Sequence, residues 1–198
     1  EALAALDKSL ALDASNAAAH ERRGFVLRRL GKLDPALESY DKALALDGGL
    51  ASAHVGRGDL LQDLKNFQAA VVSYTRALAL DGANAVAYNG RGVARHKLRQ
   101  FAMALADFDH AIARKADFAD AHLNRGNALQ SLERFDEALA SYDVVLGLKG
   151  DNVETHNNRG NVYEGMQQFD EALACFDKAI SIDPDYPPAH WNKSLLDL

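Results

Sequence analysis

Three columns of residues in this 198-residue chain carry side chains able to do chemistry, and each column keeps a 34-residue register, with Tyr88 once in the histidine's place. Histidines stand at His20, His54, His122, His156 and His190. Arginines stand at Arg23, Arg57, Arg91, Arg125 and Arg159, and asparagines at Asn124, Asn158 and Asn192. A metal site needs ligands that converge within a few ångströms. Residues one repeat apart in a stack of helices are separated by roughly 8–10 Å. The histidines are therefore expected to pack at an inter-helix seam, and no metal is expected. Arginine can read phosphate or carboxylate through its planar fork. A regular column suits a repeated interface better, with each guanidinium pairing with Asp41, Asp109, Asp143 or Asp177, or with helix-end carbonyls. An amide side chain donates and accepts at once, so the asparagines could hold a polypeptide main chain without reading its sequence. Their other reading is as ordinary solvated polar residues.

The elements that position these columns follow from the same period. Glycine recurs at 24, 58, 92, 126 and 160, with Ser194 next in step, so the spacing is 34 throughout. A fixed period of this size marks a repeat array. With the glycine as eighth residue, full repeats run 17–50, 51–84, 85–118, 119–152 and 153–186. Residues 1–16 are the second half of an earlier repeat, and 187–198 the first helix of a later one. Each repeat is predicted to hold two helices, in the first case over about 17–30 and 34–46. Asp34-Pro35 is expected to start the second helix as N-cap and first helical residue. Gly48, Gly82 and Gly150 are expected to stop the second helices, with Pro184 doing so in the last repeat. Small residues recur at Ala36, Ala70, Ala104, Ala138 and Ala172. Aromatics recur at Tyr40, Tyr74, Phe108, Tyr142 and Phe176, and alanine again at 43, 77, 111 and 179, with Val145 the exception. Two helices that meet at glycine and alanine can approach closely, and the aromatic fills the space between them. Neither helix buries its stripe alone, so the repeats must stack.

Composition narrows the function classes. The net charge of −6 argues against nucleic acid, whose partners need a basic surface. The apolar runs are far too short to span a bilayer, so no membrane segment is expected. One cysteine, Cys175, permits no internal disulfide and suits a cytoplasmic location. It falls on a second helix beside Phe176 and is expected to be an inert packing thiol. Gly56-Arg57-Gly58 and Gly90-Arg91-Gly92 lie inside helices and lack the further glycine and strand of a phosphate loop. No Ser/His/Asp group or carboxylate pair is assembled, so no enzyme activity and no cofactor are expected.

These columns resemble the tetratricopeptide repeat: a large residue at position four, glycine at eight, alanine at twenty, an aromatic at twenty-four, alanine at twenty-seven, and proline or glycine at thirty-two. The resemblance covers the whole chain. It implies an all-α fold, a right-handed superhelical solenoid of antiparallel helix pairs, whose first helices line a concave groove. By the same resemblance, positions two, five, six, nine, twelve and thirteen of each first helix face that groove. The candidate site residues are then Arg22, Arg28 and Arg29 at a basic beginning, and Asn124, Asn127, Asn158, Asn161 and Asn192 at an amide-rich end. Position six is Arg22, Gly56 and Gly90 in the first three repeats, so the amide ladder covers only the later ones. Position five holds no lysine, which argues against a chaperone-tail clamp.

The wording of residues 124–143, Asn-Arg-Gly-Asn-Ala-Leu-Gln-Ser-Leu-Glu-Arg-Phe-Asp-Glu-Ala-Leu-Ala-Ser-Tyr-Asp, is similar to bacterial repeat regions. Many of these precede a glycosyltransferase domain of the O-linked N-acetylglucosamine transferase and SPINDLY type. In that transferase family, asparagines at position six hold the substrate main chain. The expectation is thus a protein-binding module for an extended peptide or protein, recruiting substrates for a downstream glycosyltransferase. The alternative is a scaffold that self-associates end to end, through the helix of residues 1–12 and through Trp191, Leu195, Leu196 and Leu198.

Overall fold

The computed structural model describes residues 2–196; Leu198 of the expected terminal stripe lies outside them. It holds α-helices and, among the described residues, no strand. Two compact units divide at residue 100, between the helices of the repeat 85–118. The first unit comprises α1 (Ala2–Leu12), α2 (Ala17–Arg29), α3 (Leu33–Leu46), α4 (Ala51–Asp63), α5 (Phe67–Leu80) and α6 (Ala85–Lys97). The second comprises α7 (Phe101–Arg114), α8 (Ala119–Ser131), α9 (Phe135–Lys149), α10 (Val153–Gly165), α11 (Phe169–Ile182) and α12 (Pro187–Leu196). Each unit is an all-α stack of helix pairs.

The core is built from the recurring small and aromatic columns. In the first unit Ala36, Tyr40 and Ala43 of α3 pack with Leu27, Ala53 and Leu60. One repeat on, Ala70, Tyr74 and Ala77 of α5 pack with Leu61, Ala87 and Ala94. In the second unit Tyr142 and Phe176 are fully buried together with Ala138, Ala172 and Ala179. Burying one such ring is worth about 1.5–3 kcal/mol, so the aromatic column supplies much of the cohesion between neighbouring helices.

Helix ends depart from the expected punctuation. Lys32, not Asp34, is the N-cap of α3, and its carbonyl accepts the Ala36 N–H at 3.1 Å. Asp34 and Pro35 therefore sit inside the first turn, where the missing proline N–H is still harmless. The cause is the tight turn before them. Gly31 adopts φ +71°, and the Lys32 N–H closes back on the Leu27 carbonyl at 2.9 Å, which is a Schellman cap. The same turn recurs with Lys65, Arg99, Glu133 and Gln167 in the left-handed conformation, φ 58–60°.

The ends of the second helices are a further correction. Gly48 and Gly82 are not left-handed; only Gly31 and Gly150 are. The stop is made instead by an aspartate one place earlier. Asp47 Oδ1 accepts the Gly49 N–H at 2.8 Å, and Asp81 Oδ1 accepts the Ala83 N–H at 3.0 Å. Asp183 repeats this with Asp185. An aspartate that bonds its own downstream backbone offers the chain a turn in place of another helical step. Three first helices are capped by asparagine, Asn16, Asn84 and Asn152, each accepting from the backbone three residues on at 2.9 Å.

Candidate functional site

The histidine column belongs to the scaffold. The Nε2 atoms of His20, His54, His122 and His190 meet the carbonyls of Ala14, Gly48, Ala116 and Pro184 at 2.7–3.2 Å. Each ring braces the loop that precedes its own helix. His156 meets Asp151 Oδ1 instead, at 3.2 Å. Among the described residues no group of three His, Cys, Asp or Glu side chains could hold a metal ion.

The arginine column is likewise a repeated clasp. Arg57 Nε donates to Asp41 Oδ1 at 2.7 Å, and its Nη1 donates to Ser73 Oγ at 2.9 Å. Arg125 does the same with Asp109 and Ser141, and Arg23 with Asp7 and Ser39. One guanidinium thus ties the preceding second helix to the following one. In the last full repeat Arg159 reaches Asp143 at 3.0 Å, but Cys175 stands where the serine would be, and Arg159 Nε is buried without a partner. Burial raises the Cys175 thiol above its ordinary value despite the nearby Arg159 charge, so it is a poor nucleophile.

With those columns assigned to packing, positions six and nine of the first helices are left. In the second unit they interlock. Asn158 Nδ2 donates to Asn127 Oδ1 at 3.0 Å, and the Tyr142 hydroxyl donates to the same oxygen at 2.7 Å. Asn192 Nδ2 donates to Asn161 Oδ1 at 2.8 Å and to the buried Asn157 Oδ1 at 3.1 Å. Among the described residues, Asn158 Oδ1 and Asn192 Oδ1 keep their acceptor capacity, and Asn127 Nδ2 and Asn161 Nδ2 keep their donors. Each pair therefore presents one acceptor and one donor, which matches the N–H and C=O of a peptide main chain. Asn124 is half-buried on α8.

The first unit is built differently at the same positions. Arg28 is not a free basic group: it pairs with Asp63 at 2.6 Å and Asp59 at 3.3 Å. Burial pulls its guanidinium down, but the Asp63 hydrogen bond and the Asp59 charge raise it overall. Arg29 lies 5.9 Å from the centre of the Phe25 ring, and Arg22 is exposed. Position six is glycine at 56 and 90, and this moves the aromatic rings. A Cβ on Gly56 would stand 2.6 Å from the Tyr40 hydroxyl, whereas one on Gly24 would stand 3.0 Å from the ring. In the second unit, where position six is asparagine, a Cβ on Gly126 or Gly160 would stand only 2.3 Å from the ring. The rings lean toward the following repeat beside glycine and toward their own first helix beside asparagine.

The displaced Tyr40 floors a hollow of about 310 Å³ walled by Phe25, Val55 and Gly56, with Glu21, Arg22, Ser52 and Asp59 at its rim. By the repeat register Phe25, Val55 and Gly56 stand at groove-facing positions nine, five and six, though none of these apolar residues was among the candidate site residues. The signal was present: Phe25 stands at position nine, where the later repeats carry Asn127 and Asn161.

Tetratricopeptide repeat profiles match residues 17–50, 51–84, 97–153 and 153–186. No curated protein sequence matches the chain. Among solved structures the chain is similar to YrrB, reported as a TPR protein with an unusual peptide-binding site. The two share 27% identity over 96% of this chain and 98% of that one, with a TM-score of 0.80. The MamA protein is 26% identical over 83% of this chain and 90% of its own, with a TM-score of 0.76. PilF of Pseudomonas aeruginosa, at 20% identity, shares the fold with a TM-score of 0.82 over 96% of this chain and 86% of its own. With the profiles tiling it from residue 17 to residue 186 but for 85–96, the chain belongs to the tetratricopeptide repeat family.

Proposed function

We propose that this chain is a polypeptide-binding module whose contact surface is the first-helix face of its repeats. The amide pairs Asn127–Asn158 and Asn161–Asn192 hold the main chain of the bound segment. The observation that carries this reading is the division of labour within each pair. One asparagine spends its N–H on its neighbour, which fixes both side chains and leaves an acceptor and a donor unspent on half-buried residues. A pre-fixed amide loses less freedom on binding than a mobile one. The peptide-binding site reported for YrrB supports the same class of function.

The test begins with peptides selected against the 198-residue chain from a random dodecapeptide display library. Asn158→Ala and Asn192→Ala are each expected to weaken the selected peptides about 3- to 10-fold, the worth of one or two hydrogen bonds, with helicity unchanged. Unaltered affinity in both variants rejects the amide pairs as the site.

A finer extension is that the bound segment is a protein substrate of a glycosyltransferase, in a bacterial cytoplasm. Its support is the wording of residues 124–143. Isolating the gene's full reading frame tests it: a sequence beyond residue 198 with no transferase domain removes it. The second reading, self-association, is favoured by α12, where Trp191 is 66% exposed and Leu195 47% exposed. Light scattering across a hundredfold concentration range decides it, since a strict monomer excludes it.

A further inference from the structure

We infer that the hollow floored by Tyr40 is a specificity socket. It takes one large apolar side chain of the bound polypeptide, while the Tyr40 hydroxyl donates to an oxygen of the same segment. This rests on the polypeptide-binding reading above and adds what the amide pairs lack, a preference for one residue type.

Three independent features converge on it. The first is the wall: Phe25 is 50% exposed, a large apolar surface left uncovered beside Val55. The second is the floor. Tyr40 is only 1% exposed, yet among the described residues no group hydrogen-bonds its hydroxyl. Its counterparts are satisfied: the Tyr74 hydroxyl donates to Asp59 Oδ1 and accepts from Gln62, and that of Tyr142 donates to Asn127. Phe25 occupies the place from which Asp59 and Asn127 serve those rings, so the Tyr40 hydroxyl is directed into the hollow instead. The hydroxyl opens on the hollow with no protein partner, so a ligand oxygen there can accept its hydrogen bond. Burial raises the Tyr40 phenol to about 12, so it is a donor at neutral pH and its complement is an acceptor.

The third feature is the coordinated exchange. Gly56 and Phe25 together replace the Asn158 and Asn127 pair of the later repeat. Glycine opens the space, and phenylalanine makes it apolar. The rim has no net call for a charged occupant, since Glu21 and Arg22 carry opposite charges. Asp59 is already engaged by the Tyr74 hydroxyl and by Arg28. At about 310 Å³ the hollow is at the lower limit of small-molecule sites, which run from roughly 300 to 1,000 Å³. That size suits a single side chain rather than a cofactor.

The experiment titrates the isotope-labelled 198-residue chain with N-acetyl-L-phenylalanine amide and, in parallel, N-acetyl-glycine amide, following backbone amide shifts by NMR. The expected result is saturable shifts centred on Val55 and Gly56 with the phenylalanine derivative. The glycine derivative should bind at least about 5-fold more weakly, as its missing apolar group predicts. Tyr40→Phe should weaken the phenylalanine derivative about 3- to 10-fold. The paired change Phe25→Asn with Gly56→Asn should abolish its binding. If the paired variant does not fold, Tyr40→Phe still decides, because phenylalanine already occupies this column at 108 and 176. Absent shifts at Val55 and Gly56, or equal affinity in Tyr40→Phe, overturn the inference. The titration uses no selected peptide, so it can succeed where the amide pairs fail, and the reverse.

Discussion

Replacing the helical glycines by alanine should give effects of opposite sign along one chain, graded by the distance to the aromatic column. At Gly160 a Cβ would stand 2.3 Å from Phe176 Cε1, and at Gly126 it would stand 2.3 Å from Tyr142 Cε1. At Gly58 the nearest ring atom is 2.8 Å away, and at Gly24 it is 3.0 Å. Carbon atoms sit at about 3.5–4.0 Å when unstrained, and the Phe176 and Tyr142 rings are fully buried, so they cannot swing aside. Overpacking of this kind costs about 1–3 kcal/mol, against a helix-propensity gain of about 1 kcal/mol for alanine over glycine. With the closest clashes at the top of that range, about 3 kcal/mol, Gly160→Ala and Gly126→Ala should be destabilised by about 2 kcal/mol net, with Gly24→Ala at the bottom of it and close to neutral. Gly147 has nothing within 4 Å, so Gly147→Ala should gain about 0.5 kcal/mol. In a chain of this length 1 kcal/mol moves the melting temperature by about 2–4 °C. Thermal melting followed by circular dichroism should thus show Gly160→Ala lower by about 4–8 °C and Gly147→Ala higher by about 1–2 °C. Shifts of the same sign at both positions would refute the argument that the rings set the glycine column.

The left-handed turns offer the converse gain: Lys65→Gly, Glu133→Gly and Gln167→Gly should each stabilise by about 1 kcal/mol in urea unfolding, whereas Gly31→Ala should lose a similar amount. Cys175→Ser should give Arg159 Nη1 the hydroxyl acceptor that Arg57 and Arg125 have, let its Nε turn to Asp143 as theirs turn to Asp41 and Asp109, and raise stability by about 1 kcal/mol, read as a higher melting temperature. Raising the pH should unfold the chain through its buried tyrosines. Burial raises Tyr40 to about 12 and also raises Tyr74 and Tyr142, with Asp59 adding to the rise at Tyr74. The unfolded phenols titrate near 10, so their stabilising contribution is complete below that pH and is lost as pH rises toward the folded values. Phenolate absorbance should appear together with loss of helicity, and Tyr40→Phe should move that transition to higher pH.

The repeat register, the helix pairs and the aromatic core were legible because each rests on a period that the sequence displays. The aspartates that meet the arginines were legible for the same reason: Asp41, Asp109 and Asp143 share one column. Helix ends were less so. Only Gly31 among the five left-handed turn residues is a glycine, so residue type did not reveal the turn, and backbone hydrogen bonds impose it on Lys65 and the others. The asparagine ladder was visible as a spacing, but its cross-bonds to Asn127, Asn157 and Asn161 depend on how far one first helix lies from the next. The socket at Tyr40 was hidden because a hollow is produced by what is missing, here the side chain of Gly56 and the acceptor that Phe25 displaces.

A bound polypeptide is expected to lie along the first helices and not the second. The most direct measurement places a nitroxide at the centre of a display-selected peptide and records which backbone amides of the labelled chain it broadens. Broadening is expected around Asn127, Asn158 and Asn161 on α8 and α10, with the exposed residues of α9 and α11, such as Glu137 and Glu171, unaffected. Broadening confined to α9 and α11 would contradict it.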